Sequence, residues 1–66
     1  MNVMINGEAR DIPDDATVAA VVDLLGLSEV PVVVQRNDDI VERGRYADVT
    51  LAEGDVLELV RFVGGG

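Results

Sequence analysis

Met1-Asn2-Val3-Met4-Ile5-Asn6-Gly7-Glu8-Ala9-Arg10-Asp11-Ile12 opens the chain. Met1, Val3 and Ile5 fall on one face of a strand that runs to Asn6, because side chains alternate across a strand with period two. Asn6-Gly7 is the dipeptide preferred by a two-residue type I′ turn, whose central residues both need positive φ. Glu8 to Ile12 therefore returns antiparallel, until Pro13 and the turn-forming Asp14-Asp15 stop it. A hairpin at the start of a short chain needs a cover for its apolar face and further strands beside it.

The following residues supply both. Thr17 stands where an N-cap belongs, with Asp14 and Asp15 placed to favour the positive end of a helix. Val18, Val21, Val22 and Leu25 at i, i+3, i+4 and i+7 make one apolar stripe, and Gly26 is a natural left-handed stop. Val32-Val33-Val34 after Pro31 reads as a strand near the middle of the sheet, and Asn37-Asp38-Asp39 turns it towards Ile40-Val41. Glu42 to Asp48 lacks a period and reads as a loop or a single helical turn, pinned by Tyr46. Val49 to Leu51 suggests a short edge strand, and Glu53-Gly54-Asp55 turns the chain into a last strong run, Val56 to Val63, whose inward face the alternation leaves open. The helical crossover between the hairpin and the later strands brings the last strand in parallel beside the first. The expected fold class is α+β, a ubiquitin-like β-grasp with a mixed sheet of four to five strands and one main helix on one face. Residues 1–61 form the expected single domain, and 62–66 a flexible tail.

Composition narrows the function. Among 66 residues there is no Cys, His or Trp. Disulfides, thiolate chemistry and the commonest general base and metal ligand are therefore unavailable. A domain of this size buries only about 60% of the surface of its unfolded chain, which leaves no room for an enclosed substrate cavity. Leu, Ile, Val and Phe still make up 23 residues, enough for a core, and 13 of them are Val, which favours strands. Thirteen acidic residues against five Arg and no Lys give a formal charge of −8. That charge repels nucleic acid and anionic lipid, so neither nucleic acid nor membrane is an expected partner, and a basic protein surface is. No apolar run reaches the ~18 residues needed to span a bilayer, and the N-terminus lacks a signal pattern; the expected location is the cytoplasm.

The remaining candidate chemistry sits at Gly64-Gly65-Gly66. At average usage three glycines would close only about 0.03% of chains by chance, so the ending calls for a reason. A frayed end is one reading. The other begins from a final strand that delivers Phe62-Val63 and then glycines into solvent, where Phe62 to Gly66 can reach about 17 Å. Glycines pass through a channel too narrow for side chains and let main chain approach an adenylate site closely. The Gly66 carboxylate is ionised near neutral pH and is a poor electrophile until activated.

A Val-Val-Val strand leading through Asn37 to Ile40-Val41, Arg43 and Tyr46, then Gly54-Asp55, and a Phe-Val-Gly-Gly-Gly terminus resemble the thiamine-biosynthesis sulfur-carrier family (ThiS) over nearly the full length. Family members often carry Gly, Pro and Trp where this chain has Asp38, Glu42 and Tyr46. The resemblance implies a protein co-substrate, not an enzyme. Gly66 would be adenylated by a ubiquitin-activating-type adenylyltransferase using ATP and converted to a thiocarboxylate by a sulfur donor, either a sulfurtransferase or a cysteine desulfurase. The sulfur would then pass to thiazole synthase. Gly64 and Gly65, with Phe62 and Val63 before them, would bind the partner by passing through its narrow channel. ATP belongs to the partner, and no cofactor or metal is expected on the chain itself.

Other candidates weigh less. Val63 reads as an apolar anchor for the partner, and Phe62 either as a second anchor or as a lid on the core. Arg61 is read as a solvated strand residue. Asp14-Asp15 and Asp38-Asp39 lack calcium-loop spacing and are assigned to turns. Ser28, the single Ser, has no His to activate it. Three alternatives stay open: a molybdopterin-type sulfur carrier, a ubiquitin-like modifier conjugated to lysines, and an inert interaction module. Deleting Gly66, or placing a bulky residue at Gly65, should abolish conversion by the activating enzyme while leaving the circular dichroism spectrum unchanged.

Overall fold

The computed structural model describes residues 1–62. In chain order the elements are β1 (Asn2–Ile5), β2 (Glu8–Asp11), α1 (Val18–Leu24), β3 (Val32–Arg36), β4 (Asp39–Val41), a 3-10 helix (Arg43–Asp48) and β5 (Val56–Arg61). The two hairpins are closed by local chemistry. Asn6 and Gly7 have φ of 51° and 84°, and Asn37 and Asp38 have 49° and 74°. Both loops are two residues long, as the pairs Ile5↔Glu8 and Arg36↔Asp39 require, and positive φ at both positions is the type I′ geometry that matches the twist of the strands.

The helix is bounded as its sequence demands. Thr17 accepts a hydrogen bond from the Ala20 N–H at 3.2 Å. At the other end Gly26 adopts φ 72°. Its N–H donates to the Asp23 carbonyl, and the Leu27 N–H donates to the Val22 carbonyl, each at 2.9 Å. This pair of bonds is the Schellman ending, and it turns Leu27 back towards the sheet. Asp14 lies three residues before the Thr17 cap, and the first turn of α1 itself holds no acidic residue. The Asp14 carboxylate accepts from the Met1 ammonium at 2.9 Å, a fully charged partner. That ammonium, hydrogen-bonded also to the Ile12 carbonyl at 2.7 Å, ties the chain start to the end of β2.

The five strands form one sheet in the order β2-β1-β5-β3-β4. β5 lies at its centre, parallel to β1 through Met4↔Val56 and Ile5↔Leu57, and antiparallel to β3 over five pairs from Val32↔Arg61 to Arg36↔Leu57. This is the β-grasp layout read from the sequence. Leu57 and Leu59 point towards the helix and are buried, whereas Val56 and Val60 stand on the opposite face, which resolves the choice that alternation left open. Val3, Ile5, Val34, Leu57 and Leu59 from the sheet close on Val18, Val21 and Val22 of α1, with Ile12, Ala16 and Leu51 around them.

Val49–Leu51 forms no strand of the sheet, contrary to expectation. It makes an isolated bridge, Thr17↔Thr50, with the segment entering α1. The Val18 N–H donates to Val49 at 3.0 Å and the Leu51 N–H to Ala16 at 2.9 Å. Those partners exist only once the helix has packed, so local β-propensity could not distinguish this pairing from a sheet edge. The Tyr46 hydroxyl donates to the Val32 carbonyl at 3.4 Å, and its half-buried ring pins the 3-10 helix as expected. Among the described residues no helix is long and apolar enough to cross a membrane.

Leu57 is fully buried at the crossing of β5 and α1, so Leu57→Ala should lower the unfolding free energy by about 2–5 kcal/mol in urea titrations. Val60→Ala, on the exposed face of the same strand, should cost no more than about 1 kcal/mol.

Candidate functional site

β5 carries the chain towards the candidate tail, and its position is set at both ends by side chains that pair with main chain. At its start, Asp55 is the one buried charged residue in the described core. Its Oδ2 accepts from Arg36 Nε at 2.9 Å and from the Ala52 N–H at 2.8 Å, and its Oδ1 accepts from Asn37 Nδ2 at 3.0 Å. Asn37 in turn accepts from the Val56 N–H at 2.9 Å, while its own N–H donates to the Val56 carbonyl at 2.8 Å. One carboxylate thus locks the β3–β4 turn to the first residue of β5. Burial works against ionisation of Asp55, but the bonds from Asn37, the Ala52 N–H and Arg36 outweigh it and hold the carboxyl below its ordinary range.

Further along, β1 ends at Ile5 while β5 continues. Asn6 fills the gap. Its N–H donates to the Leu57 carbonyl at 2.9 Å. Its side-chain amide then imitates a peptide group: Oδ1 accepts from the Leu59 N–H at 2.8 Å and Nδ2 donates to the Leu59 carbonyl at 3.3 Å. The residue that makes the hairpin turn therefore also extends the parallel ladder by one step. Neither role of Asn6 in that ladder nor the Asp55 network was visible in the sequence, where Asn6 and Asp55 read as turn residues. The available signal was a polar residue directly flanking an apolar strand, Asn6 after β1 and Asp55 before β5.

Among the described residues nothing covers the sheet face opposite α1. Met4, Ile40, Val56, Val60 and Phe62 are exposed on or beside it. Phe62, the one described member of the candidate tail, is 57% exposed, and its N–H donates to the Pro31 carbonyl at 3.2 Å. It does not close the core; Leu59 and Val34 do that from the other face. Arg61 is exposed, as expected. Val63, Gly64, Gly65 and Gly66 lie outside the described residues. Ser28 Oγ donates to Asp23 Oδ1 at 3.4 Å, an exposed contact beyond the helix end.

With the central strand of a β-grasp sheet followed in sequence by Gly64-Gly65-Gly66, the ThiS family profile matches residues 3–66. The chain belongs to the ThiS family. It is 36% identical over 66 residues to the sulfur carrier protein ThiS of Bacillus subtilis, covering 96% of this chain and all of that protein. It is also 44% identical over its whole length to a thiazole synthase of Paramagnetospirillum magneticum, of whose length it spans only 20%. The crystal structure of the thiamine biosynthesis protein (ThiS) from Geobacter metallireducens superposes with a TM-score of 0.83 at 28% identity, with both chains covered completely.

The depressed Asp55 carboxyl gives this ThiS-family domain a defined acid limb. A carboxylate whose folded pKa lies below its unfolded value contributes stability that is present above the unfolded value and is lost as pH falls through the folded one. Unfolding free energy should therefore decline as pH drops below about 4. Asp55→Asn should lower stability at pH 7 by about 1–3 kcal/mol and flatten that limb, read by denaturant melts across the pH range.

Proposed function

We propose that this chain is a sulfur carrier for assembly of the thiazole of thiamine, with the Gly66 carboxylate as the group that carries sulfur. The observation that carries the reading is its match to the Bacillus subtilis sulfur carrier over 96% of this chain and all of that protein, on a fold whose central strand ends at Arg61, next to exposed Phe62, with Gly66 four residues further on in sequence. The similarity to a thiazole synthase supports that enzyme as the acceptor of the sulfur.

The chemistry needs little from the chain beyond its end. A carboxylate oxygen of Gly66 attacks the α-phosphorus of ATP on a ubiquitin-activating-type enzyme, giving an acyl-adenylate and pyrophosphate. A hydrosulfide equivalent from the sulfur donor then attacks the acyl carbon. The bond to AMP breaks, the sulfur proton is lost to solvent or a base, and a thiocarboxylate remains. Charge stabilisation and alignment of ATP are tasks for the activating enzyme. The domain contributes a rigid, acidic body that presents the end. Its 13 acidic residues and formal charge of −8 suit a basic docking surface and speed encounter with it.

Incubation with the activating enzyme, ATP and sulfide, followed by intact-mass and fragment-mass measurement, should show one oxygen replaced by sulfur at Gly66, and the product should support thiazole formation by thiazole synthase. An unchanged mass would refute the carrier reading. A stable isopeptide to target lysines would replace it with the modifier reading.

A further inference from the structure

We propose that the edge of β5 just beyond Asn6 is a docking site for an extended strand of the activating enzyme, a proposal that rests on the carrier reading above. The main-chain groups of β5 alternate in direction. Those of Val56 and Phe62 bond across to Asn37 and Pro31 on the β3 side, which places Glu58 and Val60 in the same set by register. Those of Leu57 and Leu59 point the other way, to Asn6. Arg61 is next in that second series. It faces Val32 as a pair that exchanges no main-chain bonds, so its N–H and C=O are turned to the side that β1 has already left. Among the described residues nothing meets them there.

Beside this edge lies an open groove of about 580 Å³ lined by Asn6, Leu25, Leu27, Leu59 and Arg61. Leu25 and Leu27 are half-buried and are brought to it by the Schellman ending of α1. An unpaired strand edge with apolar side chains next to it is the combination that strand addition uses: main-chain bonds supply register, and a pocket selects one side chain. Asn6 already satisfies Leu59, so an incoming strand can begin its pairing only at Arg61.

The occupant follows from what comes next in the chain. Beyond Phe62 stand Val63 and three glycines, about 14 Å of extended chain, and glycine offers a partner no side chain to hold. An enzyme that aims such an end at a phosphorus atom can fix its direction only through main-chain bonds, and the Arg61 edge is the last main chain of the described domain from which such a ladder can start. The strand that fits is extended, with an apolar residue facing Leu25 and Leu27, and with basic residues flanking it to meet an acidic domain.

Amide exchange of the full ¹⁵N-labelled chain, free and with the activating enzyme and ATP, tests this directly. The Arg61 amide should slow by at least about tenfold in the complex, whereas the Val60 amide, already in the ladder with Val33, should change far less. Arg61→Pro removes only the outward donor, as an open edge tolerates, and should raise the KM of the enzyme for the carrier by about tenfold. Leu27→Arg should do the same by filling the groove. If the chain acquires its thiocarboxylate while Arg61 exchanges at its free rate in the complex, the docking proposal is wrong and the carrier reading stands. If no sulfur is acquired, the carrier reading fails and takes the docking proposal with it.

Discussion

The pairing of β5 with β1 is the constraint on which the other parts of the domain depend. A two-stranded hairpin is at best marginally stable in water. β1 and β2 on their own would be such a hairpin, and β3 and β4 another. Only when β5 enters between them does a single sheet exist, and only then do Val3, Ile5, Val34, Leu57 and Leu59 form one continuous surface for α1 to cover. The helix has seven residues, too few to persist in isolation, so its cap and its Schellman ending define a shape that packing on this surface must stabilise.

The two polar stitches on β5 serve that same constraint. Asp55 holds the strand where it begins, through a network in which every buried side-chain donor and acceptor is satisfied. Asn6 holds it past the last residue of β1. Polar groups of this kind are costly when half-paired and rigidifying when complete. Here they anchor the central strand at its start and again past the last residue of β1. The apolar face left uncovered by α1 carries Val56 and Val60 of the same strand, with Phe62 exposed just beyond its last residue.

What could be read from the sequence was whatever local chemistry decides. Asn6-Gly7 specified a type I′ turn, Thr17 a cap, Gly26 a left-handed ending and the Val18 stripe a buried face, because each depends on neighbours within a few residues. The parallel return of β5 was legible from the order of elements, since a helical crossover leaves few alternatives. Val49–Leu51 was misread because its hydrogen-bond partners belong to the entrance of α1, remote in sequence. The bond from the Met1 ammonium to Asp14 was not legible, because the two are thirteen residues apart in sequence. The double use of Asn6 was invisible for the same reason: its second partner, Leu59, lies fifty-three residues further on. At the candidate site, the glycines announced themselves by composition, whereas the edge at Arg61 emerges only when strand lengths are compared in space.

A sheet whose central member is also the last strand has a consequence for biosynthesis. On the ribosome, β1 to β4 must wait as two separate hairpins until residues 56–61 have left the exit tunnel, since the pairs Met4↔Val56 and Ile5↔Leu57 join opposite ends of the domain. Chains that stop early have no middle strand and remain substrates for proteolysis. A folded molecule of this kind is thus one in which residues 56–61 are already present, so that compactness itself vouches for the strand that leads to the glycines.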